Sequence, residues 1–448
     1  MLEYFRFNLK GISLIIFCLL PISLLTGPAI PDISATLICI FFLIHSFLYK
    51  DFHWLNEKWI RAGLIFWVSL VFISLFALNI NNSLQNALIF IRYIIFAIAI
   101  SCWLITDAKI LEFFLKILSI SIVFIVLDCL LQFISYNSLE GYGKDIFGFV
   151  STHYGRLSGP FNDDVPGSHI SRFIFFVILL FYIAKKNTFI NNYTFLIIIS
   201  LSIYIIWLSG EAMAFATTIL GITIYLIFIR NKKLLLLISS VITIFMILIT
   251  NKFHIMNYDY NVISSTPYHH GLLINKFGEC QNIKDSECSR LIKTNPEFTK
   301  VIKNFDQSVY YQIYKDAFRM WSDNKLSGVG LSNFEEACEK NLRYRSKKIN
   351  YGDCSAHPHN TYIQFLAETG LIGFAFFSLF LLMILFKVFK NFNLDLNKFS
   401  FIHLSILFWP IMSTGSLLKN WYGIEVFLVI GLLVSLTNIN SSFLKPKF

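Results

Sequence analysis

Apolar runs of membrane-spanning length recur along the chain, at residues 11–27, 34–49, 62–79, 84–106, 110–136, 168–184, 193–208, 213–229, 234–250, 362–386, 399–414 and 421–438. A helix needs roughly 20 apolar residues to cross bilayer hydrocarbon, so the pattern predicts an all-α integral membrane protein with about twelve transmembrane helices. The first run is followed by further spans and has no small-residue cleavage site, and we read it as a retained helix rather than a signal peptide. One polar interval, 251–361, is too long for a simple connector and predicts a large, mainly helical loop domain. Within it, Tyr310 to Met320 has the apolar spacing of an amphipathic helix. Gly328-Val329-Gly330 predicts a turn, and Ser332 with Glu335 has capping-box spacing for a second helix through Cys338. The stretch 251–300 reads as looser. The organisation expected is spans one to nine with an outer loop at 137–167 in residues 1–250, the polar domain in 251–361, and spans ten to twelve with the C-terminal tail in 362–448.

Charge follows this alternation. Lysine and arginine gather in one set of short segments: Arg6 and Lys10; Lys50, Lys58 and Arg61; Lys109; Lys185 and Lys186; Arg230, Lys232 and Lys233; Lys387, Lys390 and Lys398; Lys445 and Lys447. The opposite short loops, 28–33, 80–83 and 209–212, carry none. The positive-inside rule then places both termini in the cytoplasm and segments 137–167, 209–212, 251–361 and 415–420 on the other side. The net charge of +10 is therefore a topology signal, and no nucleic-acid partner is expected. Composition agrees with a membrane chain: 448 residues, 56% hydrophobic and only 14% charged, with a mean hydropathy of +0.64. Soluble domains carry about 25% charged residues.

Of eight cysteines, Cys18, Cys39, Cys102 and Cys129 fall in apolar runs, where they act as small hydrophobes. Cys280, Cys288, Cys338 and Cys354 all fall in the polar domain. An even set in an exported loop suggests disulfides, most simply 280–288 and 338–354, although spacing alone leaves the pairing open.

His357-Pro358-His359-Asn360 stands where the polar domain meets the apolar run beginning at Tyr362. Imidazole titrates near neutrality, so His359 is a candidate general base for a sugar hydroxyl, with His357 orienting or sharing the proton. The bland reading is that both cap the following helix. Pro358 excludes regular helical geometry between them and predicts a shaped turn. Arg156, in a Gly-rich loop, suits a diphosphate because its guanidinium donates two parallel hydrogen bonds; the alternative is contact with lipid headgroups. Arg92 lies well inside the span 84–106, and Arg172 lies near the start of the span 168–184. Charges at such positions are functional candidates. Arg92 either pairs with Asp128 or lines a lipid-diphosphate groove, and Arg172 either reaches the headgroups or serves the same groove. Asp163, Asp164 and Glu211 are candidate orienting groups. No DxD-type or Cys/His ligand spacing is present, so no metal and no cofactor is expected. Lys419 either helps hold an anion or is a solvated loop lysine.

The stretch Cys354-Ser-Ala-His357-Pro358-His359-Asn360-Thr-Tyr362-Ile-Gln364-Phe-Leu366-Ala-Glu368-Thr-Gly370-Leu-Ile-Gly373 resembles the signature of the O-antigen ligase and O-antigen polymerase superfamily. Weaker resemblances fall in the same order along the chain. They are Arg156-Leu-Ser-Gly159-Pro-Phe161 with Asp163, Asp164 and Gly167; Ser209-Gly210-Glu211; Gly328-Val-Gly330 with Phe334; and Pro410 with Gly415-Ser416 and Asn420-Trp421. The resemblance covers roughly residues 150–430. It implies an inverting, metal-independent glycosyltransferase of the bacterial inner membrane, working at its periplasmic face in lipopolysaccharide O-antigen biosynthesis. The implied donor is a glycan on undecaprenyl diphosphate. The implied acceptor is lipid A–core for a ligase or a lipid-linked repeat for a polymerase, with a chain-length regulator as a further partner. Related enzymes glycosylate protein. A transporter or flippase would also fit twelve spans and buried arginines, but no internal repeat is evident and the polar domain is asymmetric.

One departure matters. The family usually has an arginine after Ser-Gly-Glu, implicated in holding the donor diphosphate, and this chain has Ala212. Either Arg156 and its neighbours compensate, or alanine replaces a native arginine so as to block turnover; we favour the second.

Overall fold

The computed structural model describes residues 2–136, 141–151, 156–161, 165–184, 189–254, 305–345, 354–411 and 413–439. The protein is all-helical, with fourteen α-helices and no strands among the described residues. Two compact units are present. The first, Met1–Leu111 with Thr299–Phe448, holds α1 (Leu2–Ser23), α2 (Ala29–Tyr49), α3 (Lys58–Ser74), α4 (Ile80–Ala99), α10 (Val309–Asp323), α11 (Phe334–Lys340), α12 (Thr361–Phe389), α13 (Asp395–Leu407) and α14 (Asn420–Asn438). The second, Glu112–Phe298, holds most of α5 (Ala108–Ile134), with α6 (Pro166–Ile183), α7 (Phe189–Leu208), α8 (Ala212–Phe228) and α9 (Lys233–Phe253).

Among the described residues, nine helices are long and apolar enough to cross a membrane. The other three apolar runs form the shorter helices α3, α8 and α14's predecessor α13, of 17, 17 and 13 residues. The chain is a multi-pass membrane protein. Its exposed apolar residues include Ile15 on α1, Phe72 on α3 and Phe245 on α9, which suits helices whose solvent is lipid.

Aromatic rings knit the first unit. Phe66 of α3 meets Phe90 of α4 at 5.7 Å and Phe365 and Phe377 of α12 at 5.5 and 5.6 Å. Phe90 and Tyr93 each meet Phe427 of α14 at 5.7 Å. Such ring pairs contribute beyond simple area burial, about 0.5–1.5 kcal/mol each. In the second unit, buried hydroxyls cross between helices: Ser171 donates to the Ala214 carbonyl, Ser200 to the Ser239 carbonyl and Thr243 to the Ser200 carbonyl. Interhelical bonds of this kind hold helices together where lipid offers no hydrophobic drive.

The described part of the polar domain from residue 305 onward sits in the first unit. The amphipathic helix expected at 310–320 is α10, and its apolar stripe Ile313, Ala317 and Met320 buries against Phe334, Ala337 and Tyr344 and against Ala367 of α12. Cys338 is bonded to Cys354, with Cα atoms 5.9 Å apart, which ties α11 to the segment leading into the histidine turn. Cys280 and Cys288 lie outside the described residues, as does the 255–304 stretch.

Two expectations are corrected. The Ser332 capping box does not form: α11 begins after Asn333, Ser332 has a left-handed φ of 55°, and its N–H donates to Glu368 instead. The run expected as one continuous span at 362–386 is broken at Gly370, where φ is 61° and ψ is −162°. The segment Lys325 to Gly330 crosses this break. The Ala367 and Glu368 carbonyls accept from the N–H groups of Val329 and Gly330 at 3.0 and 2.9 Å. The Leu371 and Ile372 N–H groups donate to the carbonyls of Lys325 and Leu326 at 2.9 and 3.2 Å. Four backbone groups at the break thus find partners in one short wedge, as a helix interrupted inside a membrane protein requires.

The crossing admits no side chain on either strand. A Cβ at Gly370 would lie 2.3 Å from the Leu326 carbonyl group, and one at Gly328 would lie 2.4 Å from the Glu368 backbone. The backbone angles of Gly370 cost a residue with a Cβ about 1–3 kcal/mol before any clash. Gly370→Ala is therefore expected to lower the thermal midpoint of the detergent-solubilised protein clearly, while alanine at the open Gly11 leaves it in place. An unchanged midpoint for Gly370→Ala would show that the crossing is looser than described.

Candidate active site

The histidine turn is built on α12. Asn360 is the N-cap: its Oδ1 accepts from the N–H groups of Tyr362 and Ile363 at 3.0 and 3.1 Å, and its Nδ2 donates to the Pro410 carbonyl at 2.9 Å. Capping is thus done by the asparagine, and the two imidazoles are left for other work. Their ring centroids are 4.1 Å apart, and His359 has a left-handed φ of 53°. The shaped turn expected around Pro358 is present.

Thr414 holds both histidines. Its N–H donates to the His359 carbonyl at 2.8 Å, and its carbonyl lies 3.3 Å from His357 Nε2. A carbonyl only accepts, so Nε2 of His357 carries the proton and Nδ1 is the bare nitrogen. Nδ1 is buried with no hydrogen-bond partner among the described residues. Burial, aided by the neighbouring His359, pushes the His357 pKa down to about 4, so this ring is neutral at pH 7. Burial also lowers His359, opposed by a backbone hydrogen bond at Thr414. Two rings this close resist double protonation. The pair therefore offers one fixed neutral imidazole and one half-buried imidazole, His359, kept unprotonated near neutrality.

Beneath the turn lies a buried polar set. Gln364 donates from Nε2 to Ser416 Oγ at 2.7 Å and to Glu368 Oε2 at 3.3 Å. The same Oε2 accepts the Ser332 N–H at 3.1 Å. Glu368 is 1% exposed and joins the wedge, α12 and the 414–416 loop that holds the histidines. Composition gave a signal here: a carboxylate inside an apolar run is a functional candidate by default. Thr414 offered none, since it closes the apolar run 399–414 just before the outer segment 415–420.

Arg92 does not pair with Asp128. It forms an ion pair with Asp32 at the start of α2 at 2.9 Å and donates to Asn420 Oδ1 at 2.8 Å and to Tyr93 Oη at 3.2 Å. Asn420 also donates to Asp32 at 3.1 Å. The lysine-free loop 28–33 contains this one carboxylate, and Arg92 uses it to pin α2, α4 and α14 together. Asp128 instead accepts the Ile146 N–H at 2.7 Å. Lys419, the residue before α14, is exposed.

The remaining candidates belong to the second unit. Glu211 accepts the Ser168 N–H of the first turn of α6 at 2.7 Å, so its carboxylate caps that helix. Ala212 is the half-buried first residue of α8. Arg156 and Arg172 are half-buried, Arg172 in α6. Asp163 and Asp164 lie outside the described residues.

Residues 195–378 match the model of the O-antigen ligase family, a stretch that runs from α7 through the histidine turn into α12. This match supports placing the chain in the O-antigen ligase and polymerase family. No curated protein matches the chain. The match supports a lipid-linked glycan transferase role in O-antigen biosynthesis, and the membrane helices fit such a substrate.

The hydrogen bonds described at the Glu368 side chain use one oxygen, Oε2, which a glutamine also supplies. Glu368→Gln is expected to keep glycan transfer within about threefold, whereas Glu368→Ala leaves the Ser332 N–H unpaired, at about 1–3 kcal/mol, and lowers both thermal midpoint and rate. Equal losses in the two variants, read in a transfer assay, would assign the effect to the charge instead.

Proposed function

We propose that the protein transfers a glycan from undecaprenyl diphosphate to an acceptor hydroxyl at the periplasmic face of the bacterial inner membrane, as an O-antigen ligase or polymerase with both termini cytoplasmic. The observation that carries this reading is the imidazole pair at the head of α12: Thr414 orients His357, burial keeps that ring neutral, and His359 is freed from capping by Asn360. His359 removes the acceptor proton as the acceptor oxygen attacks the anomeric carbon. The bond from that carbon to the diphosphate oxygen breaks with inversion, and undecaprenyl diphosphate leaves with the electron pair. His357 orients its neighbour. Arginine charge stabilises the leaving diphosphate. We give that role to Arg156 and Arg172, with the Ser209–Ala212 bend contributing only the backbone N–H groups that open α8. Arg92 already has Asp32 as its partner, and its part is to hold the start of α14.

A base must be unprotonated, so the rate falls as pH drops through the pKa of His359. Burial sets that value below the ordinary 6.5. kcat/KM measured with a synthetic undecaprenyl-diphosphate donor in detergent is therefore expected to be flat from pH 7 upward until other groups titrate, with an acid limb centred below 6.5. His359→Ala is expected to lower the rate by about 10²–10⁴ and to remove that limb. Undiminished transfer by His359→Ala would refute the assignment.

Position 212 opens a helix, where N–H groups and the helix dipole favour an anion. Ala212→Arg is expected to raise donor turnover about tenfold or more by adding a bidentate phosphate ligand. Donor affinity and turnover both unchanged would remove 212 from the anion site.

A further inference from the structure

The exposed side of α10, from the edge of its buried stripe outward, is aromatic. Tyr310, Tyr311 and Phe318 are 38%, 39% and 45% exposed, and Phe305 just before the helix is 41% exposed. Phe305 meets the rings of Tyr311 and Tyr314 at 5.9 and 6.2 Å. The patch reaches the histidine turn, because Tyr310 meets the His359 imidazole edge-on with centroids 5.5 Å apart. Rings of this size cost free energy in contact with water, and a cluster of them marks a binding surface.

We propose that this face binds a pyranose ring of the acceptor glycan, an inference that rests on the transferase reading above. A pyranose has an apolar face of C–H bonds and a rim of hydroxyls. Aromatic faces take the first, and phenol oxygens at the ring edge take the second. Tyrosine supplies both with few rotatable bonds, so little side-chain freedom is lost on binding. The contact with His359 decides which glycan is held. The base must touch the attacking hydroxyl, so the sugar lying against Tyr310 is the acceptor's. Burial of this face in the bilayer is disfavoured by Lys315, which is exposed one helical turn from Tyr311 on the same side. The platform thus sets acceptor affinity, and chemistry stays with the histidine turn.

The test uses the full-length protein in lipid nanodiscs and the oligosaccharide pool released by mild acid from the source cells' lipopolysaccharide, which contains both core and repeat units. Hydroxyl-radical footprinting is expected to oxidise Tyr310 and Tyr311, and the pool is expected to protect them, in wild type and in His359→Ala alike. In the transfer assay, Tyr310→Ala is expected to raise the acceptor KM about tenfold with the donor KM unchanged, while Tyr310→Phe keeps the ring and stays within about threefold of wild type. Rings already shielded without glycan, or rings oxidised equally with and without it, would overturn the proposal, the first result pointing to the bilayer. Transfer that depends on His359 but not on Tyr310 would overturn it and leave the transferase reading standing. Protection without any transfer would do the reverse.

Discussion

The structure depends on an exchange of four backbone hydrogen bonds at the break in α12. A helix interrupted at Gly370 frees carbonyls on one side and N–H groups on the other, and at the buried positions around the break an unpaired backbone group is costly. The Lys325–Gly330 segment supplies the partners from a single strand. The two backbones approach so closely that both crossing points are glycine. The break turns what would be one long span into a helix from Leu371 onward and a short capped helix, 361–369, that carries the histidines at its head.

The orientation of the turn follows from that short helix. Ser332, just past the wedge, donates to Glu368; Glu368 and Ser416 share Gln364; and Thr414, two residues before Ser416, grips both histidines. The Cys338–Cys354 bond closes the same assembly from the other side, three residues before His357. A closed loop of this length contributes about 3 kcal/mol on the chain-entropy estimate. The histidine turn is held by backbone crossings and by the buried Glu368 side chain, and Arg92 is used to pin helices.

Much of this was legible in the sequence where one periodicity or one residue type decides the outcome. Apolar runs located the helices, the spacing of Ile313, Ala317 and Met320 located α10, and the pair Cys338–Cys354 was the simpler of the disulfide choices. The break in α12 was not legible, because Glu368-Thr369-Gly370 sits inside a run whose hydropathy averages over it, and what stabilises it comes from a segment some forty residues earlier. The Ser332 cap failed for the same reason: a local pattern lost to a long-range carboxylate. Arg92 and Asp32 are sixty residues apart, and only the fold reveals that this carboxylate, rather than Asp128, is within reach.

The wedge is best tested by amide hydrogen exchange in nanodiscs, resolved to the N–H groups of Val329, Gly330, Leu371 and Ile372. These lie in a loop and beside a helix break, where unpartnered amides exchange quickly. The account predicts protection comparable to that of the amides in the middle of α14. Exchange at the rate of an open loop would mean that the break in α12 is not sealed by this segment and that the histidine turn is positioned by something else.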